Sequence, residues 1–214
     1  MPILCTLFPY DLPSNLYNYR RFSDILRQEM ASSSAIGQEV KSYVSKGELI
    51  TDHMANSIVL SYAQNYSHQS FILDGYPRTV SQAAFLKAHY KQPVVAVNIV
   101  LDRHITIEKL LGRRICSTCR GDFNTAHAVH GEYDMPAILP SPDTCKLTPP
   151  SSCKPCLEKR GDDTEEVIRK RLAGYDLGSS SLLKFYEEAN LLIEFQVKKG
   201  VKDTPLLLEK MNSF

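Results

Sequence analysis

No stretch of this 214-residue chain reaches the ~18 consecutive apolar residues that a membrane-spanning helix needs. Neither sign of charge is in excess: 25 Lys and Arg stand against 24 Asp and Glu, a net charge of +1. Such a chain has no overall field to gather nucleic acid or an anionic membrane, so any anion must be held by a local cluster. The N-terminal segment MPILCTLFPYDLPSNLYNYRR has no basic region ahead of its short apolar run, which Pro9 ends, so a secretory signal is not expected. Glycine is missing from the first part of the chain, and the first one is Gly37. What is present is ordinary soluble composition, 43% hydrophobic and 23% charged, in a length that fits a single domain with small inserted lobes. Six cysteines indicate a reducing, cytoplasmic setting provided that most of them bind metal. A monomer is expected.

Two segments read as buried strands: Phe71–Asp74 (FILD) and residues 94–101 (VVAVNIVL), the second apolar on both faces as a covered parallel strand is. A third strand is expected over residues 191–197 (LLIEFQV). Helices are expected over residues 24–30, 36–44, 52–64, 79–90 and 164–175. The fourth opens on Thr and Ser as capping candidates, and the last has Glu in its first turn with Arg and Lys later, the order that the helix dipole favours. Strands alternating with helices predict an α/β fold built on a doubly wound parallel sheet. Residues 116–156 break the rhythm with six prolines, five of the six cysteines and no periodicity. They are expected to form a functional loop or a separately stabilised lobe.

In FILDGYPRT, Asp74 ends a strand, and Gly75 and Pro77 force a turn that brings Arg78 beside the carboxylate. Ligands of doubly wound sheets bind at that edge. There a carboxylate suits Mg²⁺ held through water, and a guanidinium suits a phosphate gripped by two parallel hydrogen bonds. The plainer reading is a surface turn with a salt bridge, and it loses only because the flanking sequence also fits a pattern.

That pattern resembles the adenylate kinase family of nucleoside-monophosphate kinases over roughly residues 22–211. SDILR (residues 23–27) resembles the family's T-G-D-x-L-R, whose arginine, here Arg27, holds the AMP phosphate. GELITD (residues 47–52) resembles its G-x-L-V-x-D, so Glu48, Leu49 and Ile50 are expected to frame the adenine, and Gln82 to read it. LLGRR (residues 110–114) and RGDDTEEVIRKRL (residues 160–172) resemble the entrance and exit of the family's lid. The resemblance therefore implies that Asp74, Arg78, Arg113, Arg160 and Arg171 serve transfer, with Arg160 and Arg171 also facing AMP beside Gly75, Tyr76 and Arg78. Lys109 and Arg113 would face ATP, and Asp162 and Asp163 would steady the lid hinge. A helical AMP-binding insert is expected over residues 22–64 and a lid over residues 116–156. Two departures stand out: Lys109 occupies the place of the first lid-entrance arginine, and Phe22-Ser23 that of Thr-Gly. The implied reaction is reversible, ATP + AMP to 2 ADP with Mg²⁺; whether ATP or GTP is the donor is not written in the sequence. Positive charge from four segments and exclusion of water are what such a transfer requires.

Cys116-Ser-Thr-Cys119 and Cys153-Lys-Pro-Cys156 are two C-x₂-C knuckles 33 residues apart. Four thiolates so presented suit a structural tetrahedral Zn²⁺ that folds a lobe without a core, and the knuckles fall at the family's lid. Free or disulfide-bonded cysteines are the alternative. Cys5 and Cys145 read as ordinary thiols, and His127 and His130 as surface histidines before substitute ligands.

The family's G-x-x-x-x-G-K loop, which cradles the ATP phosphates, is absent from this sequence. Ile3–Phe8 reads as a remnant first strand, and the thirteen residues between Phe8 and Phe22 leave no room for the loop and its helix. A kinase whose loop was lost by truncation or an alternative start is favoured over a degenerate member that binds AMP or a partner as a scaffold. Either way low kinase activity is expected. A zinc-knuckle nucleic-acid module is the remaining alternative; neutral charge and few aromatics near the knuckles weigh against it.

Overall fold

The computed structural model describes residues 3–8, 18–32, 34–45, 50–65, 71–90, 94–142, 144–145, 150–161 and 163–214. They fall into two compact units, one formed by Pro2–Ile99, Gly178–Phe195 and Lys210–Phe214, the other by Val100–Leu177 and Gln196–Glu209.

The first unit carries a five-stranded sheet in the order β10-β4-β1-β3-β2. Its strands are β1 (Ile3–Phe8), β2 (Asn18–Arg21), β3 (Phe71–Asp74), β4 (Val95–Val100) and β10 (Leu192–Gln196). β2 and β3 run parallel, with Arg21 opposite Asp74. The central strand departs from the parallel expectation, because β1 runs antiparallel to both β3 and β4. Cys5 pairs with Asp74 and Phe8 with Phe71, so β1 ends beside the start of β3 and away from the edge that Asp74 occupies.

Three helices, α1 (Phe22–Ala31), α2 (Ala35–Ser45) and α3 (Asp52–Asn65), pack with β3 around a core of Phe22, Ile25, Val40, Met54, Ile58, Val59, Leu73 and Tyr76. Gly37 is required where α2 meets the end of α1, since a Cβ there would collide with the Glu29 carbonyl oxygen. Tyr76 is fully buried, and its hydroxyl donates to Asn56 Oδ1 at 2.6 Å, which satisfies the polar tip inside an apolar core. α4 (Val80–His89) follows β3; Ala83 on it packs with Ala96, Leu182 and Tyr186.

α6 (Glu165–Glu188) runs thirteen residues beyond the expected helix end at residue 175. The Gly and Ser of YDLGSSS are weak helix formers, but Leu182 and Tyr186, one turn apart, are buried and hold the second half by packing.

The second unit contains α5 (Arg103–Leu111), a three-stranded sheet of β5 (Arg113–Cys116), β6 (Asp122–Asn124) and β9 (Leu157–Glu158), and a hairpin of β7 (Ala128–His130) and β8 (Tyr133–Met135). Residues 116–156 therefore hold strands where the sequence showed no periodicity; at three residues each, a period of two has no length in which to appear. α7 (Thr204–Asn212) completes the elements. No helix among the described residues is long and apolar enough to cross a membrane.

Candidate functional site

The turn after β3 is built on its backbone. Gly75 has φ +84°, a conformation that side chains with a Cβ resist, and the Tyr76–Pro77 peptide is cis. Arg78 emerges exposed, its Nε donating to the Gly75 carbonyl at 2.8 Å. Asp74, half-buried at the end of β3, accepts from the Tyr19 hydroxyl at 2.5 Å.

The first turn of α4 closes onto this loop. Thr79 caps the helix by accepting from the Gln82 N–H at 3.2 Å. Gln82 sends its side chain back: Oε1 accepts from the Arg78 N–H at 2.7 Å, and Nε2 donates to Asp52 Oδ1 at 2.7 Å. The other Asp52 oxygen accepts from the Thr79 hydroxyl at 2.9 Å. Asp52 opens α3, where the helix dipole favours a carboxylate.

The expected AMP-side residues Gly75, Tyr76, Arg78 and Gln82 are thus gathered beside Asp74, which is expected to serve transfer. The Tyr76 side chain is buried, which leaves only its main chain for a ligand. Ile50 packs half-buried against the helical core, and Arg27, exposed on α1, is paired with Asp24. Glu48 and Leu49 lie outside the described residues, as does Asp162. Asp52 and Thr79 were given no ligand-side role from sequence; a carboxylate at a helix start is the only signal Asp52 offers.

The remaining basic residues belong to the other unit. Arg113 makes a two-pronged pair with Asp163, which is fully buried; its Nε lies 2.8 Å from Oδ2. That pair ties the start of β5 to the residues ahead of α6. Lys109 points its ammonium at three carbonyls, those of Ala126 and Pro136 at 2.8 Å and of Met135 at 3.4 Å. Burial pushes its pKa below the ordinary lysine value, against the opposing pull of Glu108. The expected ATP contact would require Lys109 to leave these carbonyls. Asn124 complements it, donating from Nδ2 to the Lys109 carbonyl at 2.7 Å. Arg160 and Arg171 are exposed, the second on α6.

The Sγ atoms of Cys116, Cys119 and Cys153 converge within 4.8 Å of one another. The Cys119 N–H donates to the Cys116 sulfur at 3.4 Å and the Gly121 N–H to the Cys119 sulfur at 3.4 Å. The first of these holds the Cys116 thiol below its ordinary pKa, overcoming the opposite effect of burial. Soft sulfurs that converge in this way fit a thiophilic cation when they are reduced. Two expectations need correction. Cys145 is not an ordinary thiol, because it is joined to Cys153. Cys156 stands outside the converging group: the 3₁₀ helix Pro150–Cys156 turns its thiol toward the Ser152 carbonyl, 3.6 Å away. Knuckle spacing gives sequence proximity, not the direction in which a short helix points its last residue.

Two parallel strands with a glycine–cis-proline–arginine turn at their carboxyl edge, among helices, make this an α/β protein. A family model described as adenylate kinase matches residues 15–191, and the chain belongs to the adenylate kinase family. It is 37% identical over 194 residues to the probable adenylate kinase 1, chloroplastic, of Oryza sativa subsp. japonica, covering 88% of this chain and 64% of that protein. It is 37% identical over 184 residues to the GTP:AMP phosphotransferase of Plasmodium falciparum, covering 84% and 78%. With the adenylate kinase of Borrelia turicatae it shares 33% identity over 191 residues, covering 88% and 84%. The chain thus spans about two-thirds of the length of the rice relative.

Proposed function

We propose that this chain is a nucleoside-monophosphate kinase of the adenylate type, taking AMP as acceptor in the reversible reaction ATP + AMP to 2 ADP. The carrying observation is the closed turn of residues 74–82, in which Gly75, Arg78 and Gln82 are fixed by one another and by Asp52. Arg78 and Arg27 grip the AMP phosphate, and Gln82 reads the base. Asp74 would hold Mg²⁺ through water; the ion supplies charge neutralisation for the nucleotide phosphates. Arg113, Arg160 and Arg171 add positive charge, with Arg113 steadied by Asp163. Once the Cys145–Cys153 bond is reduced, Cys116, Cys119 and Cys153 would hold a structural Zn²⁺ with a fourth thiolate, and the ion would keep the lobe of residues 116–156 folded.

The sequence carries no G-x-x-x-x-G-K, and β1 ends at the edge opposite Asp74. Electrostatic support at the ATP phosphates is therefore reduced, a deficit of about 3 kcal/mol or more in the barrier. AMP should bind, and turnover should stay below about one per second. Calorimetry with AMP, followed by a coupled assay with ATP, AMP and Mg²⁺, tests both halves. Absence of AMP binding sinks the proposal, and turnover of many per second removes the low-activity clause. The direction of β1 favours a second reading, a non-catalytic AMP-binding member. AMP binding without binding of a bisubstrate analogue would select it.

A further inference from the structure

Gln82 is 7% exposed, and its carboxamide is held from both sides by groups of fixed polarity. A carboxylate oxygen of Asp52 can only accept, and the Arg78 N–H can only donate. Nε2 must therefore face Asp52 and Oε1 must face Arg78, as the distances of 2.7 Å and 2.7 Å have it. The reversed amide would set Oε1 against the carboxylate and Nε2 against an N–H. Asp52 cannot turn away to relieve this, since its second oxygen holds the Thr79 hydroxyl at 2.9 Å.

After these two bonds the carboxamide keeps one N–H and one lone pair, presented in a fixed order. Adenine offers a ring-nitrogen acceptor beside an exocyclic N–H donor. Guanine offers the opposite order, a ring N–H beside a carbonyl oxygen. The two bases therefore demand opposite orientations of the same carboxamide.

We propose that Asp52 is a specificity-determining positioning residue: it locks the Gln82 carboxamide in the orientation that accepts AMP and rejects GMP. The inference rests on the reading of Gln82 as the base reader. Asp52 touches no substrate and acts only through Gln82. An asparagine at this position keeps the shape but can donate as readily as accept, so the lock at that end is lost.

The experiment is calorimetric titration of the full chain, and of its Asp52→Asn and Gln82→Ala variants, with AMP and with GMP. One well-ordered pair of base hydrogen bonds discriminates by roughly 10–100-fold, which is the preference for AMP expected of the unaltered chain. Asp52→Asn should cut that preference about tenfold while AMP affinity stays within about threefold. Gln82→Ala should abolish it. A preference lost in Gln82→Ala but kept in Asp52→Asn overturns the lock and leaves the base reading standing. A preference kept in Gln82→Ala, or no AMP binding by the unaltered chain, overturns the base reading and the lock with it. A nucleotide-free measurement needs no variant: in the ¹⁵N-labelled chain, one Gln82 side-chain hydrogen should exchange far more slowly than its twin. Fast, equal exchange of both hydrogens overturns the lock.

Discussion

At residues 74–82 polar groups are held by a hydrogen-bonded ring seated on a packed core; in the cysteine lobe, sulfurs and a lysine stand in for a core. The first region rests on Leu73 and Tyr76, both fully buried, with α1, α2 and α3 packed around them. The second has a small cluster of Cys116, Phe123 and Cys153, bordered by Cys119, Cys145, Cys156 and Leu157, while Ala128 and Met135 pack with Ile105 instead. A region with an apolar core tolerates loss of one polar contact. One whose centre is made of cysteines does not.

The comparison is broken most severely by Cys116→Ser. The reduced chain should take up roughly one Zn²⁺, and the variant next to none. Hydrogen exchange should then show residues 113–158 losing protection while residues 71–89 keep theirs; equal loss in both regions would refute the contrast. Lys109→Met comes next. It leaves the carbonyls of Ala126, Met135 and Pro136 without their donor, at a cost of about 2 kcal/mol read by denaturant unfolding. An unchanged midpoint would show that water replaces the ammonium there.

The smallest effect is expected at Asp134, an exposed carboxylate whose pKa is lowered below the ordinary 3.8, first by the hydrogen bond from His127. Between the folded and the ordinary pKa the unfolded chain binds more protons, so stability rises with pH in that window. The contribution is present above about pH 4 and is lost as pH falls through the folded pKa. Asp134→Asn should therefore remove a shallow acid slope and leave thermal stability at pH 7 nearly unaltered. A large loss at pH 7 would contradict this.

Much of the fold is legible in the residues. VVAVNIVL reads as a strand because it is apolar on both faces, FILD is a short apolar run that a turn closes, and α1, α2 and α3 lie close to the ranges expected for them. FILDGYPRT announces the turn, since glycine and proline restrict the backbone locally. Strand direction is not local: ILCTLF reads as a strand in either sense, and only its partners make β1 antiparallel. β2, with the sequence NYRR, is a strand because Phe71–Asp74 offers it an edge. The bonds between Gln82 and Asp52 and between Cys145 and Cys153 join residues that no spacing rule couples.

The reversed central strand also dictates an order of assembly. Ile3–Phe8 is made before both of its partners, Phe71–Asp74 and Val95–Val100, which come much later in the chain. On a ribosome this apolar segment would wait without a neighbour until residue 74 has left the exit tunnel. Pairing at the middle of the sheet is therefore non-local, the kind of contact that slows folding.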